Sequence, residues 1–413
     1  MTEIGLKELD KDSSQPLIRL VSKLCCGAAG VAEVHGFPGT LPLTLSRRHI
    51  EMICHNDYVL LEKSDGTRYF LLILQNDVFL IDRKYSFYPV IPKPPFPLPN
   101  KAAANSKTEE HHETLLDGEL CVNLATETWE YLVYDVVAIQ GDYRWGQKDY
   151  RSRMLAVEEW VVQPRILAAS TAGSLRIRIK DIYEKTEIDL LFSRIYKNKD
   201  RDYVYENGDR LDGVVCNRND GLIFTPVQLA YPLKSCPALL KWKYPLFNSV
   251  DFMLFIEVDG DKKEDDPRNI HTYLGYKGDR GVVRYREVFF PSSLKRKWAE
   301  ARSEQNGKII ECSYDRMAGE WRYLRHRTDK TTPNYSTTVM DTLESTAESI
   351  TREELIDRIK KNTTKPIPSS ISQKRPSWKV DEDDFFTDKN PKYRKTTPIS
   401  LIPPPTAPSS YPR

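Results

Sequence analysis

The stretch Glu62–Tyr69, EKSDGTRY, lies between Leu60-Leu61 and the apolar run FLLIL, Phe70 to Leu74. Two readings compete for it. Asp65-Gly66 between two strand-like runs is a strong short-range signal for the turn of a β-hairpin. The same residues also read as a chemical site, with Lys63 and Arg68 on either side of the Asp-Gly pair. Taken alone, a pattern that fixes only four residue types favours the hairpin. The rest of the chain has to decide.

At 413 residues the chain has room for two domains and a sizeable core. Its 61 basic residues nearly balance 59 acidic ones, so attraction to nucleic acid has to come from a local patch. No apolar run approaches the length of a membrane span. The N-terminal MTEIGLKELDKDSSQ is charged and has no apolar signal-peptide core. Seven cysteines without C-x-x-C spacing argue for a reducing compartment and against a structural zinc site. The adjacent Cys25 and Cys26 read as two buried thiols rather than a redox pair. His111-His112 is a pair without H-E-x-x-H, so zinc and histidine catalysis are both poorly supported. The expectation is an intracellular, soluble protein.

From about Ser14 to Tyr244, helical and strand patterns mix. LIRLVSKLCCG has helical apolar spacing that stops at Gly27, and YLVYDVVAIQG, Tyr131 to Gly141, reads as a buried strand. YRSRMLAVEEWVVQPRI is expected as an amphipathic helix ending before Pro164, and the Pro-rich segment between Tyr88 and Glu113 as a surface loop. The charged insert from Lys197 to Gly213 reads as a mobile loop. A second texture begins near Val250, where VDFMLFIEV alternates apolar and other residues; short strands then recur between Gly, Asp and Pro, as in a small β-barrel such as an OB-fold. Thr351-x-x-Glu354 forms a capping box ahead of ELIDRIKK. The fold class is α+β, with domains at 1–248 and 249–335, a helical segment at 336–362, and a Pro-, Ser- and Lys-rich tail at 363–413 that cannot build a core.

Further stretches follow EKSDGTRY in a definite order: LIDR with Phe87-Tyr88 after it, TLLDGEL, YDVVAIQG, RNDGLIFTP, LLKWKYP and WRYLRHRTDKTTPN. Together they resemble the covalent nucleotidyltransferase superfamily and, more narrowly, the guanylyltransferase of messenger-RNA capping. FPGTLPLTL, Phe37 to Leu45, is similar to the segment that precedes the lysine motif in that family. The resemblance covers residues 37–334. It implies antiparallel sheets flanked by helices in a nucleotidyltransferase domain, followed by an OB-fold domain carrying RHRTDKTTPN.

The resemblance also implies a two-step reaction. Lys63 attacks the α-phosphate of GTP to give lysyl-GMP and pyrophosphate, and GMP then passes to the 5′-diphosphate end of RNA. A free lysine has a pKa near 10.4, so cations or desolvation have to help supply a neutral amine. Lys241, Lys243 and a bound Mg²⁺ or Mn²⁺ are the expected contributors. Arg68 and Arg83 take the ribose and its surroundings, and Tyr134 stacks on guanine. Glu119 and Asp220 lie near the sugar or hold the metal, which prefers oxygen ligands. Lys241 and Lys243 hold the α-phosphate. Arg327, Asp329 and Lys330 arrive with the second domain to orient the β- and γ-phosphates. Arg325 divides evenly between a structural and a phosphate role, and Asp251 is a weaker candidate for the site.

Departures exist as well. Where many relatives have a histidine ahead of DGLIF, this chain has Cys216 and Asn217. No H-C-x-x-G-x-x-R loop occurs, so the RNA 5′-triphosphatase is expected as a separate protein; the resemblance implies a separate cap methyltransferase as a further partner. Two other readings remain open: an ATP-dependent polynucleotide ligase, which shares K-x-D-G-x-R, and a non-catalytic scaffold that binds RNA or polymerase. The favoured reading places the enzyme in the nucleus, docked on the phosphorylated C-terminal tail of RNA polymerase II, with no membrane partner.

Overall fold

The computed structural model describes residues 6–26, 36–99, 109–167, 175–200, 202–233, 235–259, 266–288 and 290–363. The Pro-rich tail beyond residue 363 and the helix stop at Gly27 lie outside them. Two compact units share the chain: one takes Met1–Tyr244 with Thr351–Pro366, the other Pro245–Ile350. None of the described helices is long and apolar enough to cross a membrane.

The first unit carries β1 (Leu41–Thr44), β2 (Tyr58–Ser64), β3 (Thr67–Ile73), β4 (Val78–Ile81), β5 (Phe87–Pro89), β6 (Thr114–Asn123) and β7 (Thr128–Ala138). It continues with β8 (Arg176–Ile179), β9 (Tyr183–Glu184), β10 (Ile195–Lys197), β11 (Tyr203–Asn207), β12 (Val215–Pro226) and β13 (Ser235–Lys243). Six of these strands form a sheet ordered β5-β4-β3-β6-β7-β8. The other seven form β1-β13-β12-β11-β10, with β2 on β12 and β9 on β2. Neighbours are antiparallel except β1 with β13 and β7 with β8.

EKSDGTRY is not a hairpin. β2 pairs with β12 and β9, whereas β3 pairs with β4 and β6, so Asp65-Gly66 hands the chain from one sheet to the other. The Asp65 amide donates to the Arg218 carbonyl (2.8 Å) and the Gly66 amide to Glu119 Oε1 (3.3 Å), tying the crossing to a strand of each sheet. A Cβ on Gly66 would fall 2.5 Å from Cys121 Sγ and 2.7 Å from the Leu120 carbonyl oxygen. The glycine is there because β6 passes so close.

The apolar run after it is continuous because both faces of β3 are covered. Tyr69, Leu71 and Ile73 pack in one core with Val59 and Leu61 of β2 and with Met154 and Val157. Phe70 and Leu72 belong to a second core with Val21 and Leu24 of the helix Lys11–Cys26. In that helix Cys25 is half-buried and Cys26 exposed, so neither is the fully buried thiol expected; all seven cysteines are free.

Three local expectations change. The helix from Tyr150 does not end before Pro164: Tyr150–Val157 continues through a π turn, Glu158–Val162, into Gln163–Leu167. The wider turn restarts the helix at Gln163, so Pro164 falls in a first turn, where a missing N–H is tolerated. The insert after Lys197 holds a strand rather than a loop, since β11 pairs with β10 and β12. Its Arg210 reaches both Asp181 (2.6 Å) and Asp212 (2.8 Å). The Pro-rich segment is more than surface, because Phe96 is fully buried in the main core; its residues 100–108 lie outside the described set.

The second unit is one antiparallel sheet of β14 (Ser249–Val258), β15 (Ile270–Gly278), β16 (Gly281–Glu287), β17 (Ile309–Asp315) and β18 (Glu320–His326), ordered β16-β15-β14-β17-β18. The helix Ser292–Glu300 lies between the third and fourth strands. This is the strand arrangement of an OB-fold. The alternation of VDFMLFIEV is realised, with Val250, Phe252, Leu254 and Ile256 facing a core that includes Trp298 and Trp321.

The segment expected at 336–362 is two helices, Ser336–Glu348 and Arg352–Thr363, parted at Ser349, whose φ of 46° is left-handed. The first belongs to the second unit, and the other returns to the first unit. Thr351 Oγ1 accepts the Glu354 amide (3.2 Å), but the Glu354 carboxylate turns outward to grip Arg47 through two 2.9 Å hydrogen bonds. Sequence spacing does not reveal that tertiary partner.

Candidate active site

Three adjacent strands bring the lysines together. On β12, Gly221 is paired with Lys63 of β2 on one side and with Lys243 of β13 on the other. A bulge between Asn219 and Gly221 throws the Asp220 carboxylate between the two amines: Lys63 Nζ lies 2.7 Å from Oδ1 and Lys243 Nζ 2.8 Å from Oδ2. Burial pushes this carboxyl up, but Lys63 and Lys243 outweigh it and hold Asp220 below its ordinary range. The bulge needs its glycine, since Gly221 has φ 146° and a Cβ there would sit 1.9 Å from the Trp242 carbonyl oxygen.

Lys241 lies two residues before Lys243, on the same face of β13. Burial, then the charges of Lys243, Lys63 and Arg83, push its amine down to about 8, with Asp220 opposing. The clustered cations and burial thus shift the Lys241 amine toward neutrality.

Beside this group lies a cavity lined by Lys63, Arg68, Arg83, Glu119 and Tyr134, five residues singled out from the sequence. Its wall is built around Asp117, whose Oδ1 accepts from Arg68 Nε (3.0 Å) and the Tyr134 hydroxyl (2.8 Å). Oδ2 accepts from Arg68 Nη2 (2.5 Å) and the Tyr231 hydroxyl (2.5 Å). Arg68 also donates to the Thr40 carbonyl just ahead of β1. A charge pair buried this well is tolerable only when so fully hydrogen-bonded, and the network fixes the Arg68 fork and the Tyr134 ring.

A second network backs Lys63. Glu62 is buried and paired with the equally buried Lys180 at 3.0 Å. It also accepts from Ser64 Oγ (2.5 Å) and Asn219 Nδ2 (3.1 Å), and Asn219 Nδ2 lies 3.1 Å from the Lys63 carbonyl. Asn217, one of the two residues standing where a histidine was looked for, belongs to the same network through Ser64 Oγ (3.2 Å). Lys180 Nζ lies 6.0 Å from the centre of the Tyr134 ring, and the Arg68 guanidinium 5.8 Å from it.

In the second unit, Arg327, Asp329 and Lys330 gather on the buried Asp251. Arg327 Nη1 donates to Asp251 (2.8 Å), Nη2 to Asp329 (2.8 Å), and the Lys330 amine reaches Asp251 as well. Asp251 thus anchors the basic motif. Arg325 pairs with Glu311 at 2.7 Å, as a structural partner would. His111 is also structural, buried between the Thr114 hydroxyl (3.0 Å) and the Trp160 carbonyl (2.7 Å).

Sequence reasoning passed over Asp117, Glu62 and Lys180. For Glu62 and Asp117 a signal was present: each is a charged residue inside a strand-like apolar run, and such a residue has to find a buried partner. Among the described residues, no three His, Cys, Asp or Glu side chains gather as a ready metal site. Of the two carboxylates expected near a metal, Glu119 lies on the cavity wall and Asp220 is held by the two lysines.

A family model for the catalytic domain of the mRNA capping enzyme matches residues 4–245, and one for its C-terminal domain matches 247–356. The mRNA-capping enzyme subunit alpha of Eremothecium gossypii is 31% identical over 395 residues, 81% of this chain and 82% of that one. The Schizosaccharomyces pombe subunit alpha is 28% identical over 333 residues, covering 78% and 79% of the two chains. The mRNA-capping enzyme of Mus musculus is 29% identical over 371 residues, 86% of this chain but 55% of that longer one. Matched along both of its units, the chain belongs to the mRNA capping enzyme family, a family of nucleotidyltransferases.

Proposed function

We propose that Lys63 is the nucleophile of a two-step guanylyl transfer, the capping of messenger RNA. In the first step Lys63 Nζ bonds to the α-phosphorus of GTP, the bond to pyrophosphate breaks, and the amine releases its proton. In the second, the terminal phosphate oxygen of a 5′-diphosphate RNA takes the GMP, the N–P bond breaks, and Lys63 recovers a proton. The observation that carries this reading is the placement of Lys63 at the cavity, 2.7 Å from the carboxylate it shares with Lys243.

Each neighbour then has a task. Asp220 orients the Lys63 amine, and Lys243 is free to turn to the α-phosphate when an anion competes for it. Lys241, its amine lowered to about 8 yet still charged at pH 7, has its charge stabilised by an adjacent phosphate. Arg68, fixed by Asp117, and Arg83 face the ribose, while the Tyr134 ring stacks on the base. Arg327, Asp329 and Lys330 serve the β- and γ-phosphates. Mg²⁺ or Mn²⁺ suits the oxygen donors here: Glu119 and Asp220, together with substrate phosphates, would hold it, and it would neutralise charge on the transferring group. The acceptor places the enzyme on nascent transcripts in the nucleus, with a separate triphosphatase and methyltransferase and the phosphorylated polymerase II tail as partners.

The test is incubation with α-³²P-GTP or α-³²P-ATP and Mg²⁺ or Mn²⁺, followed by a denaturing gel. The expected result is acid-labile, alkali-stable label from GTP that is lost in Lys63→Arg. Label from ATP alone would instead identify a ligase-type enzyme, and no label from either would refute catalysis through Lys63.

A further inference from the structure

The second unit holds a cavity of about 810 Å³ between the helix Ser292–Glu300 and strands β17 and β18. Lys297, Lys308, Trp298, Tyr323 and His326 line it, with Arg327 and Lys330 at one side, and no acidic side chain is among its lining residues. Arg327 and Lys330 are engaged with Asp251. Lys297 and Lys308 are exposed, and neither makes an ion pair or side-chain hydrogen bond with the described residues. Inside, the His326 ring is held by its Nδ1 against the Tyr323 hydroxyl (2.6 Å), with Trp298 packed edge-on to both rings. His326 Nε2 is buried and has no hydrogen-bond partner among the described residues. Burial, Lys297 and Lys308 together hold this imidazole below its usual range, so positive potential converges on that nitrogen.

A buried unpartnered nitrogen beneath two uncommitted lysines calls for an anion. The volume falls in the range of sites that take a whole small-molecule ligand, more than a bare pyrophosphate fills, and Tyr323 with Leu294 and Ile309 supplies surface for a nucleoside. We propose that this cavity binds the 5′-diphosphate end of the acceptor RNA, with Lys297, Lys308 and His326 on the phosphates and the first nucleoside against Tyr323. The assignment rests on the guanylyl-transfer reading, and it makes these three residues acceptor contacts in a cavity whose edge, at Arg327 and Lys330, also serves the GTP phosphates.

The experiment uses the full chain and a short 3′-fluorescent RNA bearing a 5′-diphosphate or a 5′-hydroxyl. Fluorescence anisotropy should show the diphosphate RNA bound about tenfold more tightly, with that preference lost in Lys297→Ala/Lys308→Ala and reduced in His326→Gln. In parallel, lysyl-GMP formation and GMP transfer to the diphosphate RNA are followed separately. A raised KM for RNA, with self-labelling within twofold of wild type, supports the assignment. Unchanged preference and transfer in the double variant overturn it. Equal loss of both half-reactions, or inorganic pyrophosphate displacing no RNA from wild type, overturns it too. If wild type takes no label from GTP, the function reading fails, while the binding comparison still decides the cavity.

Discussion

Replacing Lys241 with methionine should make the protein more stable while disabling it. Methionine keeps the length of the side chain and removes the charge. The amine sits at about 8 against an ordinary 10.5, a gap that converts at 1.36 kcal/mol per pH unit to about 3 kcal/mol. Below pH 8 the folded and unfolded chains both carry the proton, so the whole penalty for a buried charged amine beside Lys243, Lys63 and Arg83 is present. Between 8 and 10.5 the unfolded chain binds more proton, and wild-type stability rises with pH. Above 10.5 the penalty is gone. Urea unfolding at pH 7 should therefore show Lys241→Met stabilised by up to about 3 kcal/mol, and the gain should shrink steadily toward pH 10.5. At pH 7, labelling by GTP should fall at least a hundredfold, because the phosphates lose a cation. A variant less stable than wild type at pH 7, or a difference that ignores pH, would refute the electrostatic account.

The other predictions concern the networks behind the site. Lys180→Ala strands the Glu62 carboxylate and should cost about 3–5 kcal/mol in urea unfolding, whereas Glu62→Gln/Lys180→Met should recover most of it. Gly221→Ala forces a methyl onto the Trp242 carbonyl and should cost about 3 kcal/mol or more, read as a lowered melting temperature; a shift under 2 °C would contradict the geometry. Asp251→Asn removes the charge that Arg327 and Lys330 share, and should reduce lysyl-GMP formation about tenfold as measured by gel labelling.

What the sequence revealed followed physical visibility. Strands such as FLLIL and VDFMLFIEV announce themselves because burial on two faces or one leaves a direct imprint on residue order. The lysine group was legible because motif order marks a family. Asp65-Gly66 misled as a hairpin because a turn signal reports local backbone, and only pairing shows that β2 and β3 part company. The helix through Pro164 depended on a π turn that no local pattern predicts. Asp117 and Lys180 were hidden for another reason: their partners lie 49 and 118 residues away, beyond what spacing can report.

The helix Arg352–Thr363 has a consequence in time. It covers Arg47–His55 in the first unit, with Leu355 and Ile359 fully buried, yet everything in Pro245–Ile350 must be synthesised before it exists. With roughly 300 residues between that face and the helix, at about 5–20 residues per second, a ribosome leaves the face uncovered for on the order of 15–60 seconds. The catalytic unit is therefore among the first parts begun and the last completed. A chain cut short within the second unit would release a nucleotidyltransferase sheet still missing its final helix.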